Sequence, residues 1–190
     1  MKKLLVIGIV LLALISCEKD DNQITSLEKD YLPLQVGNQW EFELAGTDSI
    51  VAITEMNGNG NDYFKFVNDE GTTSYYRKEG ERIYVKLSSS ESTEEMKFNL
   101  AADVDETWEY GPGYVTLVSR NATITIGDKQ IEGCLQFNFH NNDLIDYGYT
   151  IWLAPGIGFI QQTCQECYGT AFSTMQLEEA LVNDKLIEFK

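Results

Sequence analysis

The sequence contains 190 residues, with 30 acidic and 14 basic side chains, and its formal net charge is −16. This length is sufficient for one domain with a hydrophobic core. The negative charge excludes binding to nucleic acid and flat attachment to anionic lipid, because both surfaces would repel the protein.

Residues 1–16 have the pattern of a secretory signal peptide. Two lysines precede an apolar run over residues 4–15, which ends in Ser16 before Cys17. The run has twelve residues, whereas a membrane-spanning helix needs about twenty. We therefore expect residues 1–16 to be removed and not to remain as an anchor.

The four residues 14–17, Leu-Ile-Ser-Cys, resemble the lipobox of bacterial prolipoproteins. The resemblance implies that Cys17 is lipidated and becomes the first residue of the mature protein, with a soluble secreted protein as the less favoured alternative. Several acyl chains anchor firmly, because each buried methylene contributes about 0.8 kcal/mol. Residues 17–29 are polar and without periodicity, which predicts a flexible tether ahead of a single domain over residues 30–190.

Lys19, Asp20 and Asp21 follow the predicted lipidation site. They resemble the signal that sends Bacteroidetes lipoproteins to the outer face of the outer membrane. This resemblance implies an outer-membrane location facing the cell exterior, with the inward-facing leaflet as the alternative. Ser49 lies in the sequence Asp-Ser-Ile, which fits the short O-glycosylation pattern of the same phylum, so Ser49 is a candidate modification site.

Alternation of apolar and polar residues is the main signal from residue 30 onward. A period of two with one apolar face indicates antiparallel strands that are packed on one side. The apolar residues of the three clearest runs are Trp40, Phe42 and Leu44; Ile83, Val85 and Leu87; and Ile131, Leu135, Phe137 and Phe139.

Turn-forming residues separate these runs at short intervals. The signals are Asn57 to Asp62, Glu79-Gly80, Gly111-Pro112-Gly113, Gly127-Asp128, Pro155-Gly156 and Asn183-Asp184. Only residues 22–32 and 99–107 are compatible with short helices. The pattern predicts an all-β domain of about ten to twelve strands, in one antiparallel curved sheet that forms a half barrel or a barrel-like structure.

Aromatic residues are numerous, and most are expected in the core, because aromatic side chains are favoured in strands. The alternative is a platform on which a ligand stacks. The residues that we consider as possible ligand-facing aromatics are Tyr75, Tyr76, Trp108 and Tyr110.

Two stretches, residues 31–43 (YLPLQVGNQWEFE) and 133–162 (GCLQFNF followed by YGYTIWLAPGIGFIQQ), resemble signatures of uncharacterised Bacteroidetes outer-membrane lipoproteins. The glycines, proline and tryptophans of these signatures are interpreted as turn and packing residues. The architecture is also similar to the half-barrel lipoprotein carriers of the LolA and LolB type, in which a curved sheet surrounds a hydrophobic hollow. The matching residues are Pro33, Leu34, Gly37, Asn38, Trp40, Cys134, Trp152, Ala154, Pro155, Gly156 and Gly158.

Cys164 and Cys167 form a CxxC motif, which is compatible with a disulfide, a zinc site or redox chemistry. In a four-residue turn the two Cα atoms come within about 7 Å, so a Cys164–Cys167 disulfide is favoured in an oxidising location. Pairing of Cys134 with either one is the second possibility. A zinc site that adds His140 is less favoured, because its spacing is not a familiar ligand pattern.

The sequence predicts no catalytic set, no cofactor and no metal site. His140 is the only histidine, and no nucleophile elbow accompanies it. We therefore predict a non-catalytic, lipid-anchored envelope protein that binds a glycan, a hydrophobic ligand or an outer-membrane partner. The alternatives are a structural or assembly module of an outer-membrane complex and, less favoured, a hydrolase that uses paired carboxylates.

Replacement of the predicted lipidation site, Cys17→Ala, should release the protein from membranes. The reason is that the acyl chains would be lost while the rest of the chain is unchanged. Cell fractionation and immunoblotting measure this release. Continued retention of the variant in the membrane fraction would show that Cys17 does not carry the anchor.

Overall fold

A computed structural model describes residues 23–24, 30–43, 46–55, 61–89, 93–143, 148–165 and 173–189. The predicted signal peptide, Cys17 and the predicted export signal of Lys19, Asp20 and Asp21 lie outside these ranges, as does Leu44. No helix in the described part of the chain is long and apolar enough to cross a membrane.

The described ranges contain fourteen β-strands. The first is a two-residue strand within the predicted tether, so these residues belong to the sheet. The strands are β1 (Gln23–Ile24), β2 (Gln39–Phe42), β3 (Gly46–Glu55), β4 (Asp62–Asn68), β5 (Thr73–Glu79), β6 (Arg82–Lys86), β7 (Glu95–Asn99), β8 (Thr107–Tyr110), β9 (Gly113–Ile126), β10 (Lys129–Asn141), β11 (Gly148–Ala154), β12 (Gly158–Gln165), β13 (Ser173–Val182) and β14 (Lys185–Glu188).

The strands form a nearly closed antiparallel barrel, which confirms the predicted all-β curved sheet. Strands β2 to β7 and β8 to β13 each pair with their neighbours in sequence, and β13 pairs with β2 to join the two halves. β14 adds to β13, and β1 pairs in parallel with β10. Residues 99–107 form no helix; they end β7 and connect it to β8.

Strands β7 and β8 are the two edge strands of the sheet, and side-chain hydrogen bonds connect them across the open seam of the barrel. The Trp108 indole N–H donates to the Met96 carbonyl at 3.0 Å. The backbone N–H of Gly111 donates to the Glu95 carboxylate at 3.1 Å. This seam is therefore held by side-chain hydrogen bonds, in contrast to the backbone ladders between the paired strands.

The alternation of apolar residues predicts most of the buried residues correctly, but it fails at the end of β6. Ile131, Leu135, Phe137 and Phe139 are all buried, as predicted. In β6, Ile83 and Val85 are buried, but the run does not continue to Leu87, which is 67% exposed, whereas Lys86 is 2% exposed. The expectation that Leu87 is buried is wrong because β6 ends at Lys86, and the alternation ends with the strand.

The two signature stretches meet at Trp40. Its side chain is fully buried, and its indole N–H donates to the Ile157 carbonyl at 2.7 Å. Its ring stacks on Phe66, with centroids 5.7 Å apart. Gly158 has a φ of +99°, and a Cβ there would lie 3.1 to 3.3 Å from the Trp40 indole. The glycine therefore provides both a left-handed turn and the space for the tryptophan.

Residues 30–38 pack across one end of the barrel. Leu32 is fully buried. The Tyr31 hydroxyl donates to the Gly133 carbonyl at 2.9 Å, and Asp30 pairs with Lys78 at 2.7 Å. The Asp30 carbonyl also accepts a bond from the N–H of Gly156 at 2.8 Å. These contacts link the segment to β10, to β5 and to the turn between β11 and β12, so it closes this end of the barrel.

Substitution of Gly158 by alanine should destabilise the fold more than Gly37→Ala. Gly37 has a nearly equal φ of +98°, but a Cβ there would meet nothing within 4 Å. Both variants should lose about 1–3 kcal/mol through backbone strain. Gly158→Ala should lose about 1–3 kcal/mol more, since its methyl group crowds the Trp40 indole.

Denaturant unfolding of the two variants and the wild type measures this difference. Equal losses in the two variants would show that the Trp40 indole accommodates a methyl group without cost.

Candidate functional site

A β-bulge places Lys97 inside the barrel. In the β6–β7 pair, Ile83 is opposite Phe98 and Tyr84 is opposite Met96, so Lys97 has no partner in the register. Adjacent residues of a regular strand point to opposite faces, but an extra residue re-aims the side chain. Lys97 therefore lines the interior cavity next to fully buried Phe98. Period-two patterning assigns Lys97 to the outer face, so sequence reasoning missed it.

Aromatic rings surround the Lys97 ammonium. Its nitrogen donates to the Tyr76 hydroxyl at 2.9 Å. The same nitrogen lies 5.3 Å from the ring centroid of Tyr76, 5.6 Å from that of Phe98 and 5.8 Å from that of Phe159. The faces of Phe98 and Phe159 attract a cation electrostatically at these distances, whereas Tyr76 binds the nitrogen through its hydroxyl. These contacts hold the ammonium against aromatic side chains inside the barrel.

The charged form of Lys97 is favoured despite its burial. Burial lowers the pKa of Lys97, but the phenol oxygens of Tyr76, Tyr110 and Tyr149 outweigh this effect, and the net direction is upward. The site therefore favours the protonated form of Lys97. A protonated lysine binds anions and hydrogen-bond acceptors, and it has no lone pair for nucleophilic or base chemistry.

Lys97 opens onto a cavity of about 270 Å³. The strand directions place this cavity toward the end of the barrel opposite residues 30–38. Its walls combine aromatic rings with amide, hydroxyl and charged groups. The lining residues are Phe42, Asp48, Phe66, Asn68, Ser74, Tyr76, Lys97, Ile151, Phe159, Gln161, Gln162 and Met175.

Asp48 provides a negative charge in the same cavity. Burial raises the pKa of the Asp48 carboxyl above its ordinary value of 3.8, Lys97 offsets part of this effect, and Asp69 adds to it. The ion pairs among the described residues do not include one between Asp48 and Lys97. The cavity thus holds two opposite charges that influence each other without direct contact.

A second charged cluster lies on the outer face of β4 to β6. The Arg77 guanidinium binds the Glu94 carboxylate through two nitrogens, and the Tyr63 hydroxyl donates to the same carboxylate at 2.6 Å. Burial opposes ionisation of Glu94, but its bonds to Arg77 and Tyr63 outweigh burial and lower the pKa of Glu94. Its groups satisfy one another, so the cluster has a structural role.

Of the four predicted ligand-facing aromatics, only Tyr76 lines the cavity. Tyr76 lines the cavity, whereas its neighbour Tyr75 points to the opposite face of β5. Trp108 bonds across the seam, and Tyr110 packs edge-on against Phe139 with centroids 5.5 Å apart. The structure therefore brings one of the four into direct contact with Lys97.

Ser49 and His140 lie on the outer face of the barrel. Ser49 is in β3 between two residues of the opposite face, Asp48 in the cavity and Ile50 in the core. His140 is exposed and stacks on Tyr114, with ring centroids 4.6 Å apart. O-glycosylation of Ser49 stays a prediction.

The bonding state of the cysteines differs from one of the two predicted disulfide pairings. Cys164 is disulfide-bonded, and Cys167 lies outside the described residues. Cys134 is a buried free thiol, and burial raises its pKa to about 12. The alternative in which Cys134 forms a disulfide is therefore wrong, because this side chain packs in the core.

The structure gives no support to the zinc alternative. Cys134 and His140 have an even spacing in β10, so a regular strand would place them on one face, but Cys134 is buried and His140 is exposed. The reason is a set of register shifts in β10 between residues 131 and 137, which breaks the parity. Within the described ranges, no group of three or more potential ligands is placed to hold a metal ion.

Comparisons with known proteins found two similar solved structures. One is from Bacteroides fragilis, inferred to be an exported protein and described as having a YmcC-like fold; it has 10% identity and a TM-score of 0.45, and the match covers 83% of this chain and 98% of that chain. The other is from Parabacteroides distasonis and inferred to be a lipoprotein; it has 10% identity and a TM-score of 0.43, with the same coverage. Neither a scan against protein-family models nor a search of curated proteins found a match.

Replacement of the cavity carboxylate, Asp48→Asn, should stabilise the fold at neutral pH. A carboxyl whose pKa is raised on folding stabilises the folded state only while it is protonated, and this contribution is lost as pH rises through the folded pKa. The gain over the wild type should therefore shrink as pH falls toward 3.8.

Unfolding free energies of Asp48→Asn and the wild type across this pH range test the prediction, with exposed Asp62→Asn as the control. A variant that is less stable than the wild type at neutral pH would contradict it.

Proposed function

We propose that the protein is a lipid-anchored, non-catalytic protein of the cell envelope that binds a small molecule in the cavity around Lys97. The observation that carries the proposal is the bulge in β7, which turns a lysine side chain into the barrel. Bulges commonly re-aim side chains at functional sites. A charged group that is partly withdrawn from water costs folding free energy. A half-buried lysine directed into a cavity therefore favours a functional explanation over a structural one.

The composition of the cavity supports small-molecule binding. Ligand sites are concave and combine apolar walls with polar groups that converge on the ligand, and this cavity has a mixed polar and apolar lining. Here the rings of Phe42, Phe66 and Phe159 provide apolar walls, and Lys97 and Asp48 provide the polar groups. The contacts of residues 30–38 with β5 and β10 close the other end of the barrel.

The position of β1 supports an orientation in which the cavity is directed away from the membrane. β1 pairs with Gln130 and Ile131, at the end of β10 that lies near residues 30–38. Only residues 18–22 separate Gln23 from the predicted lipidation site, Cys17. A fully extended chain of this length spans about 20 Å. In the proposed orientation the closed end of the barrel faces the bilayer and the cavity faces solution, which favours a ligand taken from solution.

The location that we propose is the outer membrane, with the domain facing the cell exterior. Its support is the sequence pattern at Cys17 and at Lys19 to Asp21. In that location, the cavity samples small molecules outside the cell.

Filling the cavity by Ser74→Phe should abolish ligand binding. Ser74 lines the cavity, and a phenyl ring there would occupy the space of the ligand. Thr73→Phe adds the same ring to the opposite face of β5 and is the matched control. Calorimetric titration of the lipidated protein in nanodiscs, with benzyl alcohol, phenethylamine and phenylacetate as probes, measures binding. Absence of binding by every probe to the wild type, or equal binding to both variants, would refute a cavity site.

A further inference from the structure

We propose that the ligand is a small organic carboxylate, whose carboxylate group pairs with Lys97, whose apolar body lies against Phe66 and Phe159, and whose hydrogen-bond donor faces Asp48. This inference rests on the proposed function of the cavity and adds the chemical class of the ligand. The residues that support it come from five strands, β3, β4, β5, β7 and β12.

The first argument is the incomplete coordination of the Lys97 ammonium. A lysine ammonium has three N–H donors. One donates to the Tyr76 hydroxyl, and the described residues supply no carboxylate in ion-pair contact. The aromatic faces attract the cation but accept no strong hydrogen bond. A carboxylate in the cavity would receive the remaining donors and form a charge-assisted bond.

The second argument is the negative charge around the cavity, which favours a bound group with a single negative charge. Asp48 and Asp69 lie near enough to affect one another, and both disfavour added negative charge in this part of the barrel. The protein as a whole has a net charge of −16. A dianionic phosphate meets more repulsion from these groups than a monoanionic carboxylate does. The electrostatics therefore favour a carboxylate.

The third argument is the state of Asp48. Among the described residues, no hydrogen bond to its carboxylate offsets its burial. Asp48 is half-buried, and a carboxylate that is partly withdrawn from water without such bonds costs free energy. A ligand hydroxyl or ammonium would supply the missing donor. Asp48 and Lys97 thus fit a ligand that carries a donor at a distance from its carboxylate.

The fourth argument is the size and surface of the cavity. A volume of about 270 Å³ holds on the order of ten non-hydrogen atoms, at the roughly 30 Å³ that one water molecule occupies. Phe66 and Phe159 both contact the Tyr76 ring, with centroid distances of 4.5 and 6.4 Å. These rings form an apolar wall beside the ammonium. An aromatic or branched aliphatic body of this size fits the cavity.

Four probes of similar size separate the elements of the proposal. Phenylacetate has the carboxylate alone, L-phenylalanine has the carboxylate and an ammonium, phenethylamine has the ammonium alone, and benzyl alcohol has neither charge. Calorimetric titration with the wild-type lipidated protein in nanodiscs should show that the two carboxylates bind at least tenfold more tightly than the other two probes.

Two substitutions test the assigned partners. Lys97→Met is an unbranched replacement that is one atom shorter and removes the charge. It should weaken binding of both carboxylates at least tenfold and leave the affinity for benzyl alcohol unchanged. Lys185→Met, at an exposed position in β14, is the matched control and should change none of the affinities. Asp48→Asn should weaken L-phenylalanine severalfold and should not weaken phenylacetate. Thermal unfolding of each variant verifies that it is folded.

The outcomes distinguish this inference from the proposed function. If benzyl alcohol or phenethylamine binds to the wild type as tightly as the carboxylates and does not bind to Ser74→Phe, the cavity binds ligands but the carboxylate assignment is overturned. Unchanged carboxylate affinity in folded Lys97→Met overturns it as well. If no probe binds to the wild type, both the assignment and the proposed function fail.

Discussion

The contact of Trp40 with the turn between β11 and β12 is the interaction on which the rest of the structure depends. Its indole bonds the Ile157 carbonyl at 2.7 Å, across 117 residues of sequence. Trp40 belongs to β2, the strand that pairs with β13 and joins the two halves of the barrel. The same contact therefore fixes the register of closure and the position of the buried rings.

Those rings connect the core to the cavity. Phe66 and Phe159 both pack on Trp40, and both contact Tyr76, whose hydroxyl accepts the bond from Lys97. The ammonium is therefore positioned by a continuous set of packed side chains that begins at Trp40. Polar sites that are held by packed neighbours keep their geometry without a ligand, which lowers the cost of binding.

Much of this architecture follows from local sequence rules. Alternation predicts the buried residues of β10, and Asn183-Asp184 forms the predicted turn, with both residues at positive φ. The signature residues Gly158 and Trp40 are in contact, in agreement with their interpretation as turn and packing residues. These features are predictable because a turn or a strand face depends on residues that are adjacent in the chain.

The site itself is not predictable in this way, because a bulge depends on how two strands pair. Nothing in the sequence around Lys97 shows that Ile83 and Tyr84 are opposite Phe98 and Met96. β7 borders the seam, so its backbone hydrogen bonds to a neighbouring strand are made only with β6. A bulge in β7 therefore disrupts the hydrogen bonds of one strand pair, whereas a bulge in an inner strand would affect two pairs. The carbonyl of Met96, next to the bulge, accepts the Trp108 indole across the seam. The incomplete closure of the barrel thus permits the bulge that turns Lys97 inward, and this links the open seam to the site.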